Sequence, residues 1–220
     1  MFPRVKICCI SSVEEAALAV SYGASALGLV SAMPSGPGVI EESQIADIVR
    51  CVPPAVSTFL LTAYQQADAI IDQHHRCRPT TLQLVDHVAE AELAKLRRVL
   101  PGISIVQVIH VSGTSSVEDA MAVAPFVDGI LLDSGNQKLA VKELGGTGRT
   151  HDWTLSREIR ERCGRPVFLA GGLHAGNVAD ALAQVNPYGV DICSGVRTDG
   201  KLDREKLRAF MRTARDALHA

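Results

Sequence analysis

Cys8 and Asp133 are the two side chains of this sequence whose chemistry best suits proton transfer. A thiol serves as a general base once its pKa is lowered enough for the thiolate to exist near neutral pH. A carboxylic acid protonates a leaving oxygen once burial keeps part of it protonated. The hydropathy pattern puts Cys8 at the end of a first strand and Asp133 at the end of a sixth. A base and an acid on opposite walls of one site suit an isomerase that moves a proton without a cofactor. Ordinary roles stay open for both: a free cysteine is commonly a small buried apolar residue, and an aspartate after a strand is commonly a turn or cap residue.

Three glycine-bearing segments form a second constellation: Gly145-Gly-Thr-Gly148, Ala170-Gly-Gly-Leu173 and Ser194-Gly-Val-Arg197. Bare backbone N–H groups in such loops can close on an anion, and a helix N-terminus adds its dipole. Each segment alone is equally a tight turn; three in register, each after a predicted strand, point to a phosphate pocket. Other candidates are single residues. His110 ends the fifth predicted strand, as a ligand or as a satisfied structural histidine. His74 and His75 fall late in a predicted helix, where exposed histidines suit the dipole. Asp86 and His87 follow the fourth strand and either face the site or cap. Trp153, the only tryptophan, is expected to pack beneath a glycine loop, and Cys193 to lie in the core.

These residues need a scaffold that brings strand ends together. Short β-branched apolar segments alternate with amphipathic ones: strands at 5–10, 26–30, 56–61, 81–85, 103–110, 127–132, 166–170 and 190–193. Helices are expected from Ser12 to Tyr22, Glu42 to Cys51, Thr62 to Arg76, Ala89 to Leu100, Ser115 onward, Thr154 to Arg162, Asn177 to Val185, and from Asp203. Ser12/Glu15, Thr62/Gln65 and Ser115/Glu118 read as capping boxes. The last helix carries Leu207, Phe210, Met211, Ala214 and Leu218 on one stripe. Strands alternating with helices imply parallel pairing through right-handed crossovers. Eight such units predict a single-domain (β/α)8 barrel over 1–220, with functional groups at the C-terminal ends of the strands. An open doubly wound sheet would carry an early glycine fingerprint, and here the first strand runs into Cys8-Cys9-Ile10.

Composition narrows the function classes. The 220 residues carry 22 Lys+Arg against 24 Asp+Glu, a net charge of -2, and 47% hydrophobic residues. That balance lacks the basic footprint of a nucleic-acid binder and is too apolar for a disordered chain. The six cysteines form no C-x-x-C pair, so neither a zinc site nor a disulfide scaffold is predicted. The charge-free run from Ala16 to Ile40 is long enough to cross a bilayer. It is broken by Gly23, Gly28, Pro34, Gly36, Pro37 and Gly38, and the N-terminus lacks a signal-peptide core. No membrane association is therefore expected, and a cytoplasmic location is. Nothing in the sequence sets the oligomeric state, a homodimer included.

Lys6-Ile-Cys-Cys-Ile10 resembles the opening strand of the phosphoribosylanthranilate isomerase family of tryptophan biosynthesis. The likeness continues through Gln83-Leu84, Leu131-Leu-Asp133, Gly145-Gly-Thr-Gly148 with Asp152-Trp153, Ala170-Gly-Gly-Leu173 with Asn177-Val178, Pro187-Tyr-Gly-Val-Asp191 and Ser194-Gly-Val196. The matches run in family order over essentially the whole chain. The resemblance implies a (β/α)8 barrel performing an Amadori rearrangement on a sugar-phosphate substrate, with no metal and no cofactor. It implies Asp133 as the general acid on the ribose ring oxygen and Cys8 as the base that takes the C2 proton. Phosphate would be held by Gly146, Gly148, Gly171, Gly172, Ser194 and Gly195. Gln83, Asp191 and Arg197 are secondary substrate-binding candidates, Asp191 orienting a ribose hydroxyl.

The sequence also departs from the family. An arginine in a Ser-Pro-Arg pattern after strand two, which pairs with the anthranilate carboxylate, is missing from Ser35-Gly-Pro-Gly38. Gln-Leu-His-Gly becomes Gln83-Leu-Val-Asp86, Ser-Gly-Val-Glu becomes Ser194-Gly-Val-Arg197, and a glycine after the base becomes Cys9. These departures leave three expectations open. Arg197, or less directly Arg4, supplies the missing cation; a paralogous isomerase takes another phosphoribosyl-amine; or the barrel binds a phosphometabolite without catalysis. Arg149 is a further phosphate candidate.

Overall fold

The computed structural model describes residues 4–135 and 150–217. Eight parallel strands close a barrel: β1 Val5–Ile7, β2 Ala26–Val30, β3 Ser57–Thr62, β4 Thr81–Leu84, β5 Ser104–His110, β6 Gly129–Asp133, β7 Val167–Leu169 and β8 Gly189–Ile192. Each pairs with its sequence neighbours, and β1 closes on β8 with Val5 opposite Val190, Lys6 opposite Asp191 and Ile7 opposite Ile192. Around it lie α1 Val13–Ser21, α2 Glu42–Cys51, α3 Ala67–Cys77, α4 Glu90–Val99, α5 Ser115–Val123, α6 Trp153–Arg162, α7 Val178–Val185 and α8 Arg204–Asp216. No helix of the described residues is long and apolar enough to cross a membrane.

The period-two alternation of strands divides the apolar residues into two cores. Val5, Ile7, Leu27, Leu29, Leu82, Leu84, Ile130, Leu132, Val190 and Ile192 face outward into the layer between strands and helices. Cys8, Ala26, Val30, Phe59, Leu61, Val106, Val108, Leu131 and Ala170 fill the barrel itself. The same alternation sends Lys6, Gln83, Asp133 and Asp191 inward. On α8, Leu207, Phe210 and Ala214 are buried and Met211 packs beside them; Leu218 lies outside the described residues.

Several expected boundaries move. β1 stops at Ile7 because Cys9 takes a left-handed backbone, φ 61°, although Cys8 N–H still donates to the Ile192 carbonyl at 2.8 Å. Of the three capping boxes only the first caps: Ser12 Oγ accepts from Glu15 N–H at 3.2 Å. Thr62 belongs to β3 and its helix starts five residues later at Ala67, because the backbone there stays in the ladder. Ser115 sits inside α5, after an N-cap Thr114 with no side-chain cap bond. One hairpin was not anticipated. β9 Arg197–Thr198 and β10 Lys201–Leu202 pair antiparallel across Asp199 and Gly200, both at positive φ. Asp-Gly is the favoured sequence for that two-residue turn, so the signal was present.

Candidate active site

Cys8 and Asp133 line one cavity, open to solvent at the C-terminal mouth of the barrel. Gln83, Gly171, Gly172, Asp191, Cys193 and Ser194 also line it. In the closed barrel β6 lies three strand positions from β1, so Asp133 and Cys8 stand on facing sides, with β7 and β8 along the shorter way round. The loops after those two strands therefore lie between the thiol and the carboxyl.

The environments of the two groups push their pKa values in useful directions. Cys8 is lowered below an ordinary thiol. A hydrogen bond from the Cys9 thiol is the largest cause, and the Lys6 ammonium adds to it against burial and the Asp191 carboxylate. Asp133 is raised, chiefly by burial, against the pull of the Ser134 N–H and His110. Ser134 N–H donates to Asp133 Oδ1 at 2.7 Å. Lowering a buried thiol and raising a buried carboxyl are the directions that general-base and general-acid work call for.

Lys6 was missed as a site residue. It is fully buried in the barrel, two positions before Cys8 on the same face, and its Nζ contacts Asp191 Oδ1 at 2.9 Å. Burial would pull the ammonium down, but Asp191 and the neighbouring thiols outweigh it and hold Lys6 above its ordinary value. Burial pushes Asp191 up, with Lys6 opposing. A lysine inside an otherwise apolar strand was the available signal; its aspartate partner, 185 residues away, was not readable. Gly28 makes room for this group. A Cβ there would lie 2.7 Å from Cys8 Sγ and 2.9 Å from Lys6 Nζ.

The glycine loops are shaped by φ values that side chains avoid: Gly171 at 83° and Gly172 at 63°. After β8, Ser194–Val196 forms a short 3-10 turn. Gly195 is packed so closely that a Cβ would run into the Leu173 carbonyl. The amide N–H groups of Gly171, Gly172, Ser194 and Gly195 donate to no acceptor among the described residues. Gly146, Gly148 and Arg149 lie outside the described residues. Gln83 is 3% exposed, and its Oε1 has no partner among the described residues.

Arg197 does not line the cavity. Its guanidinium holds Glu15 through Nη1 and Nη2, each at 3.1 Å, and donates to the carbonyls of Cys8, Cys9 and Gly200. Glu15 in turn accepts from Ser11 and Leu202 N–H. Arg197 thus clamps the hairpin and the base of α1 onto the Cys8–Cys9 backbone. Arg4 sits at the opposite end of β1, its guanidinium 4.2 Å from the Tyr188 ring centroid. Neither fills the place of the missing arginine, and no Lys or Arg is among the described residues that line the cavity. That side is walled by Val30, Met33, Ser35, Gly36 and Pro37.

The remaining candidates are local. His110 Nε2 lies 3.1 Å from the Val85 carbonyl. Asp86 is buried and accepts from His87 N–H, with His87 exposed. His75 is exposed and His74 is half-buried, which pulls its pKa down. Trp153 opens α6 and packs against the outer core. Cys193 is half-buried and lines the cavity rather than the outer core. No cluster of three or more His, Cys, Asp or Glu among the described residues could hold a metal ion.

Residues 5–213 match the family model for N-(5'-phosphoribosyl)anthranilate isomerase. Among curated relatives, isomerase 2 of that name from Methanosarcina mazei is 36% identical over 97% of this chain and 94% of its own. The Haloferax volcanii isomerase is 35% identical over 97% and 94%. The crystal structure of the Thermotoga maritima phosphoribosyl anthranilate isomerase superposes with a TM-score of 0.84 at 29% identity, covering 98% of this chain and 100% of that one. A second solved structure of that name, in complex with reduced 1-(o-carboxyphenylamino)-1-deoxyribulose 5-phosphate, gives a TM-score of 0.81 at 28% identity, over 98% of this chain and 100% of that one.

Proposed function

This chain belongs to the phosphoribosylanthranilate isomerase family and is a ketol-isomerase, and we propose that it converts N-(5'-phosphoribosyl)anthranilate into 1-(o-carboxyphenylamino)-1-deoxyribulose 5-phosphate. Asp133 donates its proton to the furanose ring oxygen. The C1–O bond breaks, and the amine lone pair forms the Schiff base. The Cys8 thiolate then takes the C2 proton, the electrons run to the iminium nitrogen, and the enolamine tautomerises to the ketone. Phosphate rests on the amides of Gly171, Gly172, Ser194 and Gly195, with Gly146 and Gly148 completing the set. Gln83 Oε1 accepts a substrate hydroxyl, and Asp191, held by Lys6, keeps a carboxylate beside the ribose.

One observation carries this reading. Cys8 and Asp133 line the same cavity, and between them lie the two loops whose amides donate to no acceptor among the described residues. The test is a direct assay with freshly generated phosphoribosylanthranilate. Asp133→Asn abolishes turnover and Cys8→Ser reduces it strongly; full turnover in both variants refutes the acid–base assignment.

A second reading has its own support. Ser35, Gly36 and Pro37 wall the aglycone side with no cation among the described lining residues, and a bidentate carboxylate contact is not readily replaced. A different phosphoribosyl-amine would fit such a wall. Complementation of an isomerase-deficient tryptophan auxotroph decides between the two: growth supports anthranilate, and no growth with retained ribose-phosphate binding supports the other amine.

A further inference from the structure

Three of the six cysteines gather at the mouth of the barrel. Cys8, Cys9 and Cys193 all line the cavity. The Cys193 and Cys9 sulfurs are 2.6 Å apart although 184 residues separate them in sequence. Cys9 is 5% exposed, whereas Cys193 is only half-buried. A disulfide needs sulfurs about 2.0 Å apart, so the two thiols already stand within a small side-chain rotation of bonding. Cys9 is held there by its surroundings. Its backbone is in the left-handed region at φ 61°, Arg197 binds its carbonyl, and its Sγ lies 3.5 Å from the Pro37 carbonyl. A side chain kept in an unfavoured backbone conformation at a functional site invites a functional explanation.

We propose that Cys9 and Cys193 form an oxidisable dithiol that takes hydroperoxides and reversibly turns the isomerase off. Cys193, the more accessible sulfur, attacks the peroxide oxygen; the O–O bond breaks, water leaves, and Cys193 becomes a sulfenic acid. The Cys9 sulfur then attacks Cys193 Sγ, the S–O bond breaks, and the departing hydroxide carries off the Cys9 proton as a second water. Two thiols lose two electrons and one hydrogen peroxide becomes two waters. The consequence for turnover rests on the reading of Cys8 as base. Cys9 follows Cys8 directly in the chain, and both line the cavity wall together with Cys193. Closing the Cys9–Cys193 bond moves the Cys9 side chain and the backbone it shares with Cys8, and so displaces the Cys8 thiol from the C2 proton.

The test uses the full chain, reduced and then titrated with hydrogen peroxide. Alkylation and peptide mapping follow the thiols, and turnover is read in parallel. The expected result is a Cys9–Cys193 linked peptide that accumulates in step with at least a tenfold loss of turnover, both reversed by dithiothreitol. Cys193→Ser yields no linked peptide and loses activity at least tenfold more slowly. Cys9→Gly, which suits the left-handed backbone, serves as the second variant and resists in the same way. Absence of the linked peptide, or equal peroxide sensitivity in Cys193→Ser, overturns the proposal. A linked peptide with unchanged turnover overturns the coupling to Cys8. Failure of the base assignment is separate, because it would show as full turnover of reduced Cys8→Ser protein.

Discussion

Gly28→Ala tests the site without touching any group that does chemistry. Gly28 faces into the barrel on β2, beside Cys8. An added Cβ would stand 2.7 Å from Cys8 Sγ, 3.1 Å from Cys8 Cα and 2.9 Å from Lys6 Nζ. Ordinary contacts between such atoms are about 3.5–4.0 Å, so the thiol must retreat by about 1 Å. Lys6 has a flexible stem and can yield. Cys8 has one torsion, and its backbone is pinned by its N–H bond to Ile192, while Ile10 N–H binds the Gly28 carbonyl at 3.0 Å. The strain therefore falls on the thiol position. A misplacement of about 1 Å can cost about 100-fold in rate, equivalent to about 2.7 kcal/mol of barrier. Stability should fall by about 1–3 kcal/mol, the usual cost of overpacking a core. Steady-state kinetics on protein shown to be folded by its thermal melt should give a kcat lowered by about two decades with KM little changed. Gly102→Ala is the control, since nothing lies within 4 Å of its Cβ. A folded Gly28→Ala protein with kcat within about threefold of the parent refutes the placement of Cys8 as the base.

Three other perturbations separate structural roles from chemical ones. Lys6→Met leaves Asp191 buried and unpaired, and should cost about 3–5 kcal/mol in urea unfolding. The double variant with Asp191→Leu should recover most of that; no recovery would show that the pair is not the cause. Arg197→Met should cost about 2–3 kcal/mol through its lost charge-assisted bonds with KM little changed. A raised KM at unchanged stability would instead mean that Arg197 contacts substrate. Burial depresses His151 to about 4, so the unfolded chain binds the extra proton between about pH 4 and 6.5. Its contribution is then fully present above about pH 6.5 and is lost as pH falls toward 4, by at most about 3 kcal/mol. His151→Phe should flatten acid unfolding in that window, and an unchanged pH profile would exclude this histidine as its source.

Much of the site was legible because its parts are local. Strand periodicity alone sends Cys8, Gln83, Asp133 and Asp191 inward at strand ends, and Gly171 and Gly172 announce a backbone that only glycine takes easily. Caps were less legible. Ser12 and Asp203 accept from helix N–H groups as their sequence suggests, whereas Thr62 is held in the sheet. A capping box is worth about 1 kcal/mol, and ladder bonds with buried neighbours outweigh it. The role of Arg197 was not legible for a related reason. Its sequence neighbourhood is a loop, while its partner Glu15 lies 182 residues earlier.

The sequence by itself determined the alternation of strands and helices, the inward face of each strand, and the residue types at the strand ends. Those follow from periodicity and backbone preference within a few residues. Only the tertiary structure decided that Lys6 pairs with Asp191, that Arg197 serves Glu15, that Cys9 meets Cys193, and that the loops after β7 and β8 lie between Cys8 and Asp133. Each of these depends on β8 closing against β1, and closure joins residues whose separation along the chain leaves no trace in local pattern.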